Sequence, residues 1–337
     1  MLNNDAWQRS NYCGPRPMVP SRDLAQVAQL IERGYRRRLS RRARIALFGF
    51  KILGHLGPFL WLLRRFSSEF REFCSACVWV EDGHVVGVVA SHQIGATPRH
   101  WIQKNAAVQK SYRGRGIARA LAQAMIDETL AQGGETVVAM VLANNETALR
   151  SIQSTGFRPV AAFTEMRLAT VEPTPFIVLS GVSLRRRRYA EWRKEYELAR
   201  AATPAQLQLY KPVYKEDYRL RLGQRLGRWL GNLLARRKEY RLVVEEGNEF
   251  IATLTVQASR WGGEHHLELM VHPCWRGRLE EMLISRALAI LAEYPNRAVG
   301  IRLFASHTEA IEVLSRYGFV EDKTRVILGL DLKPFAV

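Results

Sequence analysis

The chain has 337 residues, 47% of them hydrophobic and 24% charged, a balance that excludes a mostly disordered polymer and supplies enough chain for two cores. With 50 Lys plus Arg against 32 Asp plus Glu the formal net charge is +18, which admits an anionic ligand, nucleic acid, an anionic membrane surface or plain solvated helix faces. Four cysteines are too few for a disulfide scaffold, so a reducing cytoplasm is the expected location. The opening MLNNDAWQRSNYCGPRP lacks the basic-then-apolar pattern of a secretory leader.

Taken in chain order, the first predicted element is a helix N-capped by Ser21, with Leu24, Val27, Leu30 and Ile31 on one face. A long basic and apolar helical stretch follows over 39–72. Strands 76–81 and 84–92 form a hairpin that turns at Asp82-Gly83. A strand at 101–108 feeds a helix at 116–132, which Gly133-Gly134 terminates. Strand 136–142, helix 145–154, the Gly156-Phe157 turn and strand 160–168 complete the run, and the proline-bearing segment 170–176 reads as a linker.

The same order recurs. Val108, Tyr112 and Arg113-Gly114-Arg115 match Val271, Trp275 and Arg276-Gly277-Arg278 at an offset of 163. Ala148 and Gly156-Phe157 match Ala310 and Gly318-Phe319 at an offset of 162, and the hairpin turn Asp82-Gly83 matches Glu246-Gly247 at 164. Three collinear matches indicate two diverged copies of one domain: 1–169, a linker at 170–176, and 177–337. The second copy is expected to hold a helix after Arg185–Arg188, a helical stretch near 214–239 and a hairpin of strands 240–245 and 249–257. Strands alternating with helices indicate an α/β (α+β) chain in which each copy is a mixed, mostly antiparallel twisted sheet flanked by helices.

The stretch with chemical content is VQKSYRGRGIA, residues 108–118. A predicted strand ends, a glycine-bearing turn follows and a helix starts, so the unsatisfied N–H groups of the helix start point at any anion there. Gly114 and Gly116 let a phosphate approach without a Cβ in the way, and Arg113 and Arg115 add positive charge. Together with Asn145, Ala148 and the Gly156-Phe157 turn, this stretch resembles the GNAT superfamily of acetyl-CoA-dependent N-acetyltransferases. The likeness covers 76–168 well and the first helix loosely, and the second copy resembles a degenerate GNAT domain.

The resemblance implies that backbone amides of Arg113, Gly114, Arg115, Gly116, Ile117 and Ala118 hold the pyrophosphate of acetyl-CoA. It implies that Val108 pairs its backbone with the pantetheine arm, that Ala106 and Ala107 lie beside the acetyl carbonyl, and that Asn145 contacts the cofactor. An amine, on a small molecule or a protein, would attack the thioester directly, with no metal. The chain departs from the family pattern in two places. Ile152 stands where members often carry a tyrosine acid, as Leu314 does in the second copy, and strand 101–108 has no carboxylate base. His92 and Gln103 are the weak substitutes, so the catalytic acid and base stay unassigned. In the second copy Leu279 and Glu281 replace Gly116 and Ala118, which predicts no acetyl-CoA binding there. The other reading of the chain is a non-catalytic acyl-CoA-binding or membrane-surface protein on a GNAT scaffold.

Residues 45–63, IALFGFKILGHLGPFLWLL, read as a helical insertion over the acceptor cleft, with peripheral membrane contact as the runner-up. If such insertions wall the cleft, a hydrophobic or bulky amine is the expected acceptor. The arginine runs 36–44 and 185–188 read as solvated helix faces. No nucleic-acid module accompanies them, so no specific nucleic-acid partner is expected. Cys74 and Cys77 read as buried packing, His265-His266 as an incidental hairpin loop, and the chain as a monomer built as a pseudo-dimer of its two copies.

Overall fold

A computed structural model describes residues 12–35, 47–51, 73–95, 97–219 and 236–332, together with the glycines at 223, 227 and 231. The long segment expected to be helical at 39–72 therefore falls largely outside the described residues; of that expected at 214–239, Lys215–Tyr218 is helical but 237–239 belong to the strand Arg237–Glu246. Two compact units are present. One comprises Met1–Val141, Asn145–Arg158 and Leu328–Val337, and the other comprises Leu142–Asn144 and Pro159–Ile327.

The first unit is a sheet in the order β1 (Gly14–Pro17), β2 (Ala76–Glu81), β3 (His84–Ile94), β4 (His100–Val108) and β5 (Thr136–Leu142), followed by the end of β12 (Val320–Asp331). Strands β1 to β4 are antiparallel neighbours and β4 pairs with β5 in parallel. Its helices are α1 (Pro20–Tyr35), α2 (Ile117–Ala131) and α3 (Glu146–Gln153).

Alternation along β2 sorts the two faces. Ala76, Val78 and Val80 pack with Leu24, Val27 and Ile31 of α1, whereas Cys77 and Trp79 pack with Ile117, Leu121 and Met125 of α2. Helix α1 begins at Pro20, one residue before the expected cap Ser21. The buried Asp23 carboxylate does the capping from inside the first turn. It accepts the Val19 N–H at 2.8 Å and a bidentate pair from the equally buried Arg16 at 2.6 and 2.7 Å.

Gly87 of β3 lies under α2. A Cβ there would stand 2.9 Å from Leu121 Cδ1 and 3.0 Å from Ile117 Cγ2. Gly87→Val is expected to lift the start of α2 and cost about 1–3 kcal/mol of stability. A lowered urea midpoint would register this, and an unchanged midpoint would mean that the sheet yields instead.

The second unit has the order β12, β6 (Arg158–Leu168), β11 (Val299–Phe304), β10 (His265–Val271), β9 (Glu249–Ser259), β8 (Arg237–Glu246) and β7 (Leu184–Arg186). Its helices are α4 (Trp192–Ala202), α5 (Glu280–Ala292) and α6 (Thr308–Arg316), with short turns of helix at Ala205–Tyr210 and Lys215–Tyr218. Strands β10 and β11 are parallel, and β7 to β10 are antiparallel neighbours. Both units are thus mixed, mostly antiparallel sheets flanked by helices.

The sequence repeat ends near residue 169, but the compact units do not divide there. Strand β6, which closes the first copy in the sequence, lies between β12 and β11 of the second unit. Its Glu165 receives Arg302 at 2.7 Å, Arg325 at 2.6 Å and Lys323 at 2.9 Å, and its Phe163 stacks on Phe304 with ring centres 4.4 Å apart. The end of β12, Leu328–Asp331, counts with the first unit.

Two surface readings change. Arg185 and Arg186 form the edge strand β7 rather than a helix face. Arg185 is held by Glu191 and Glu245, and Arg187 is buried against Glu195 at 2.7 Å. His265 is a core residue of β10, not part of a loop. Its Nδ1 accepts the Ser259 N–H at 3.0 Å and its Nε2 lies 3.1 Å from the Pro295 carbonyl.

Candidate functional site

The sequence between β4 and α2 folds into an open cradle. Strand β4 ends at Val108, a short helical turn spans Lys110–Tyr112, and Arg113 is extended at φ −70° and ψ 155°. Gly114 then takes φ +82° and Gly116 φ +77°, a left-handed region that side chains disfavour. Among the described residues a Cβ built on either glycine meets nothing within 4 Å, so they leave the space over the turn free. Gly116 is the N-cap of α2 and has no side chain to offer, and the first turn carries no carboxylate. Among the described residues no protein anion therefore satisfies the amides at the helix start, which suits a phosphate.

Each expected site residue has a definite place. Arg115 leans over the Tyr112 ring at 4.9 Å and reaches Glu81 at 3.4 Å. Arg113 folds back so that its Nε donates to the Val108 carbonyl at 3.0 Å, which commits that carbonyl and leaves the Val108 N–H as its half of any pairing with a pantetheine arm. Ile117 is buried under the turn and Ala118 is half-buried. Asn145 caps α3, its side-chain oxygen accepting the Ala148 N–H at 3.4 Å, and its NH₂ keeps its donors.

Beside the turn the sheet opens. Parallel pairing of β4 with β5 runs from His100↔Thr136 to Gln103↔Ala139 and stops. On the other side, the register with β3 breaks between Val88 and Ala90, so that Ala107 faces Val88 and Lys104 faces Ala90. Asn105, at φ +56°, forms the kink. The Tyr35 hydroxyl at the end of α1 donates to the Ala106 carbonyl at 2.7 Å. Sequence reasoning missed Tyr35, whose only signal is its place at the exit of the first helix. A groove of about 380 Å³ adjoins this region, walled by α1 and the end of β4 and edged by Arg33, Lys110 and Arg113. The weak base candidates are engaged elsewhere: Gln103 Nε2 donates to the Ala122 carbonyl at 3.4 Å, and His92 Nε2 lies 3.1 Å from Lys104 Nζ.

In the second unit the matching turn starts the same way and ends differently. Arg276 is extended at φ −60° and Gly277 takes φ +79°, but Leu279 is at φ −110° where the first copy has a left-handed glycine. Leu279 and Glu280 are both 1% exposed. One Glu280 oxygen accepts the Leu279 N–H at 3.1 Å and the other meets His307 Nε2 at 2.8 Å. Burial opposes ionisation of Glu280, but His307 and the backbone donors hold its carboxyl below the usual range. The residue that closes this helix start is therefore Glu280, not Glu281, whose carboxylate is half-exposed and reaches Arg316 at 3.4 Å. His307 occupies the position that Asn145 holds in the first copy.

Residues 46–157, the segment that carries the open cradle, match the model of the Acetyltransferase (GNAT) family. Among solved structures, a GCN5-related N-acetyltransferase from Sphaerobacter thermophilus aligns at TM-score 0.62 and 19% identity, over 95% of this chain and 96% of that one. A tandem GNAT protein from the clavulanic acid biosynthesis pathway aligns at TM-score 0.51 and 18% identity, over 77% and 83% of the two chains. A GCN5-related N-acetyltransferase from Anabaena variabilis aligns at TM-score 0.51 and 9% identity, over 96% and 73%. At these identities the likeness is one of fold. No curated protein sequence matches the chain. Among the described residues no helix is long and apolar enough to cross a membrane, and no group of three or more His, Cys, Asp or Glu is placed to hold a metal.

Proposed function

We propose that the chain is an acetyl-CoA-dependent N-acetyltransferase with its donor site in the first unit. The observation that carries this reading is the bare Gly114–Gly116 turn at an uncapped helix start, beside a strand that has parted from its neighbour. The turn residues 113–118 take the pyrophosphate, and the unpaired end of β4 takes the pantetheine arm. The thioester then lies by the Asn105–Ala107 kink. An amine attacks the thioester carbon there, the C–N bond forms as the C–S bond breaks, and the thiolate leaves. The ammonium proton passes to water. Catalysis rests on holding amine and thioester together, a contribution that can be large without a protein nucleophile.

One observation favours a second reading, an acyl-CoA-binding protein without transfer: Ile152 replaces the expected tyrosine, and β4 carries no carboxylate. Calorimetric titration with acetyl-CoA, followed by transfer assays on an amine panel, separates the readings. One site per chain with acetylated product supports the enzyme. One site with no product on any amine supports the binding protein. Two sites would refute the closure of the second copy, and no binding would refute both readings. The acceptor is an amine on a small molecule or a protein, the setting is cytoplasmic, and the chain acts as a monomer. Peripheral membrane contact through 45–63 concerns a segment largely outside the described residues.

A further inference from the structure

A second cavity lies in the first unit, at the other end of α2. Its volume is about 610 Å³, within the range of small-molecule sites. Its wall on α2 begins at Ala124, eight residues along from Gly116 or about 12 Å by helical rise, and it shares no described lining residue with the groove beside the donor cradle. Its floor is the α2 face of β3 and β4, with Ser91 and Trp101. The walls are the last two turns of α2, with Ala124, Met125 and Glu128, and the chain around Met18 and Cys74.

Three features give this cavity a chemistry. The Ser91 side chain is fully buried, and its Oγ has no hydrogen-bond partner among the described residues. A buried hydroxyl left in that state costs stability unless something enters to bond it. Glu128 sits at the rim as an exposed carboxylate, and no lysine or arginine is among the described lining residues of a chain whose net charge is +18. The nearby Arg16 is neutralised by Asp23 at 2.6 Å, so it does not offset Glu128. Met125, Met18 and the Trp101 ring supply an apolar body to the site, and burial pushes the Cys77 thiol up to about 12, which keeps it neutral.

From this cavity we infer a second, non-catalytic binding site for a small amine with an apolar body. The ammonium meets the Glu128 carboxylate, the apolar part lies against Met125 and Trp101, and the Ser91 hydroxyl gains its missing hydrogen bond from a polar group of the ligand.

The test uses 2-phenylethylamine and, as the matched anion, phenylacetate. Each is titrated into the full-length protein saturated with CoA and followed by calorimetry and ligand-observed NMR. The amine is expected to saturate and phenylacetate to bind at least tenfold more weakly. The rim substitution Glu128→Lys is expected to weaken the amine at least tenfold, and Ala124→Trp to abolish it by filling the cavity. Acetyl-CoA titration should be unchanged in both. Amine binding that survives both substitutions, or no saturable binding, overturns the inference. Loss of amine binding in Gly116→Glu instead would place the amine at the acceptor side of the donor site and also overturn it. Failure of CoA to bind would count against the donor site alone, since the amine titration can be run on the free protein. If Ala124→Trp fails to fold, the surface substitution Glu128→Lys still decides the matter.

Discussion

Gly116→Glu is expected to abolish acetyl-CoA binding while leaving the chain folded. Two costs combine. The new residue must either adopt φ +77°, at about 1–2 kcal/mol, or pull the turn out of shape. Its carboxylate would also stand at the uncapped start of α2, in the space a pyrophosphate would take, and repel it. The expected result is a loss of at least ~100-fold in affinity, equivalent to about 2.7 kcal/mol. The thermal stabilisation given by a hundredfold excess of ligand over Kd, about 2.7 kcal/mol, should vanish with it. Gly114→Ala separates the two costs, because it brings the strain at φ +82° without the charge, so it should weaken binding less. An unchanged isotherm in Gly116→Glu would place the pyrophosphate elsewhere and remove the ground for a donor site at this turn.

The second copy makes the same argument by natural substitution. There the left-handed glycine is a leucine in ordinary backbone, and the anion is supplied from within by Glu280. A phosphate arriving at that helix start would find its donor already bonded and a buried negative charge in its way. The asymmetry between the copies therefore resides in a few positions, Gly116 against Leu279, Ile117 against Glu280 and Asn145 against His307, while the preceding Arg-Gly-Arg is shared.

How much of this was legible depended on whether the deciding interaction was local. The hairpin at Asp82-Gly83 and strand 136–142 fall where the sequence puts them, since turn chemistry and a continuous apolar run decide them. The cradle was legible for the same reason, because a glycine at left-handed φ leaves its mark in the sequence. Strands β1 and β7 were not, because Gly14–Pro17 and Leu184–Arg186 are short edge segments with no apolar alternation. The placing of β6 in the second unit was hidden because pairing is chosen by tertiary partners, here Glu165 with three cations and Phe163 with Phe304. Alignment with Ala118 points to Glu281, whereas the carboxylate that turns inward is Glu280. Which of two adjacent carboxylates turns inward on a helix depends on its phase against the core, and His307, the partner that settles it, is 27 residues away.

That buried pair predicts a large stability effect in the second unit. Taking a hydrogen-bond partner from a buried polar group typically costs about 1–3 kcal/mol, and more where that group is charged. His307→Ala should do this to Glu280, which is 1% exposed. The pH dependence has a definite sign. In the native protein the Glu280 carboxyl is held below its ordinary value, so its contribution is present above the unfolded pKa and is lost as pH falls through the folded one. In His307→Ala one lowering partner is gone and only the backbone donors still oppose burial, so the carboxyl rises from its native value, and the penalty is greatest near neutral pH and shrinks on acidification as Glu280 takes up a proton. His307→Asn, the residue of the first copy, keeps a donor and should cost less. Glu280→Gln removes the charge and should make a following His307→Ala much milder, giving a coupling measurable in a double-mutant cycle. Hydrogen exchange over Glu280–Ala292 reads the effect locally, with protection expected to fall in His307→Ala at pH 7 and to recover partly toward pH 5. Unchanged protection of α5 in His307→Ala would mean that Glu280 is held by its backbone donors alone and that the pair does not close the second copy.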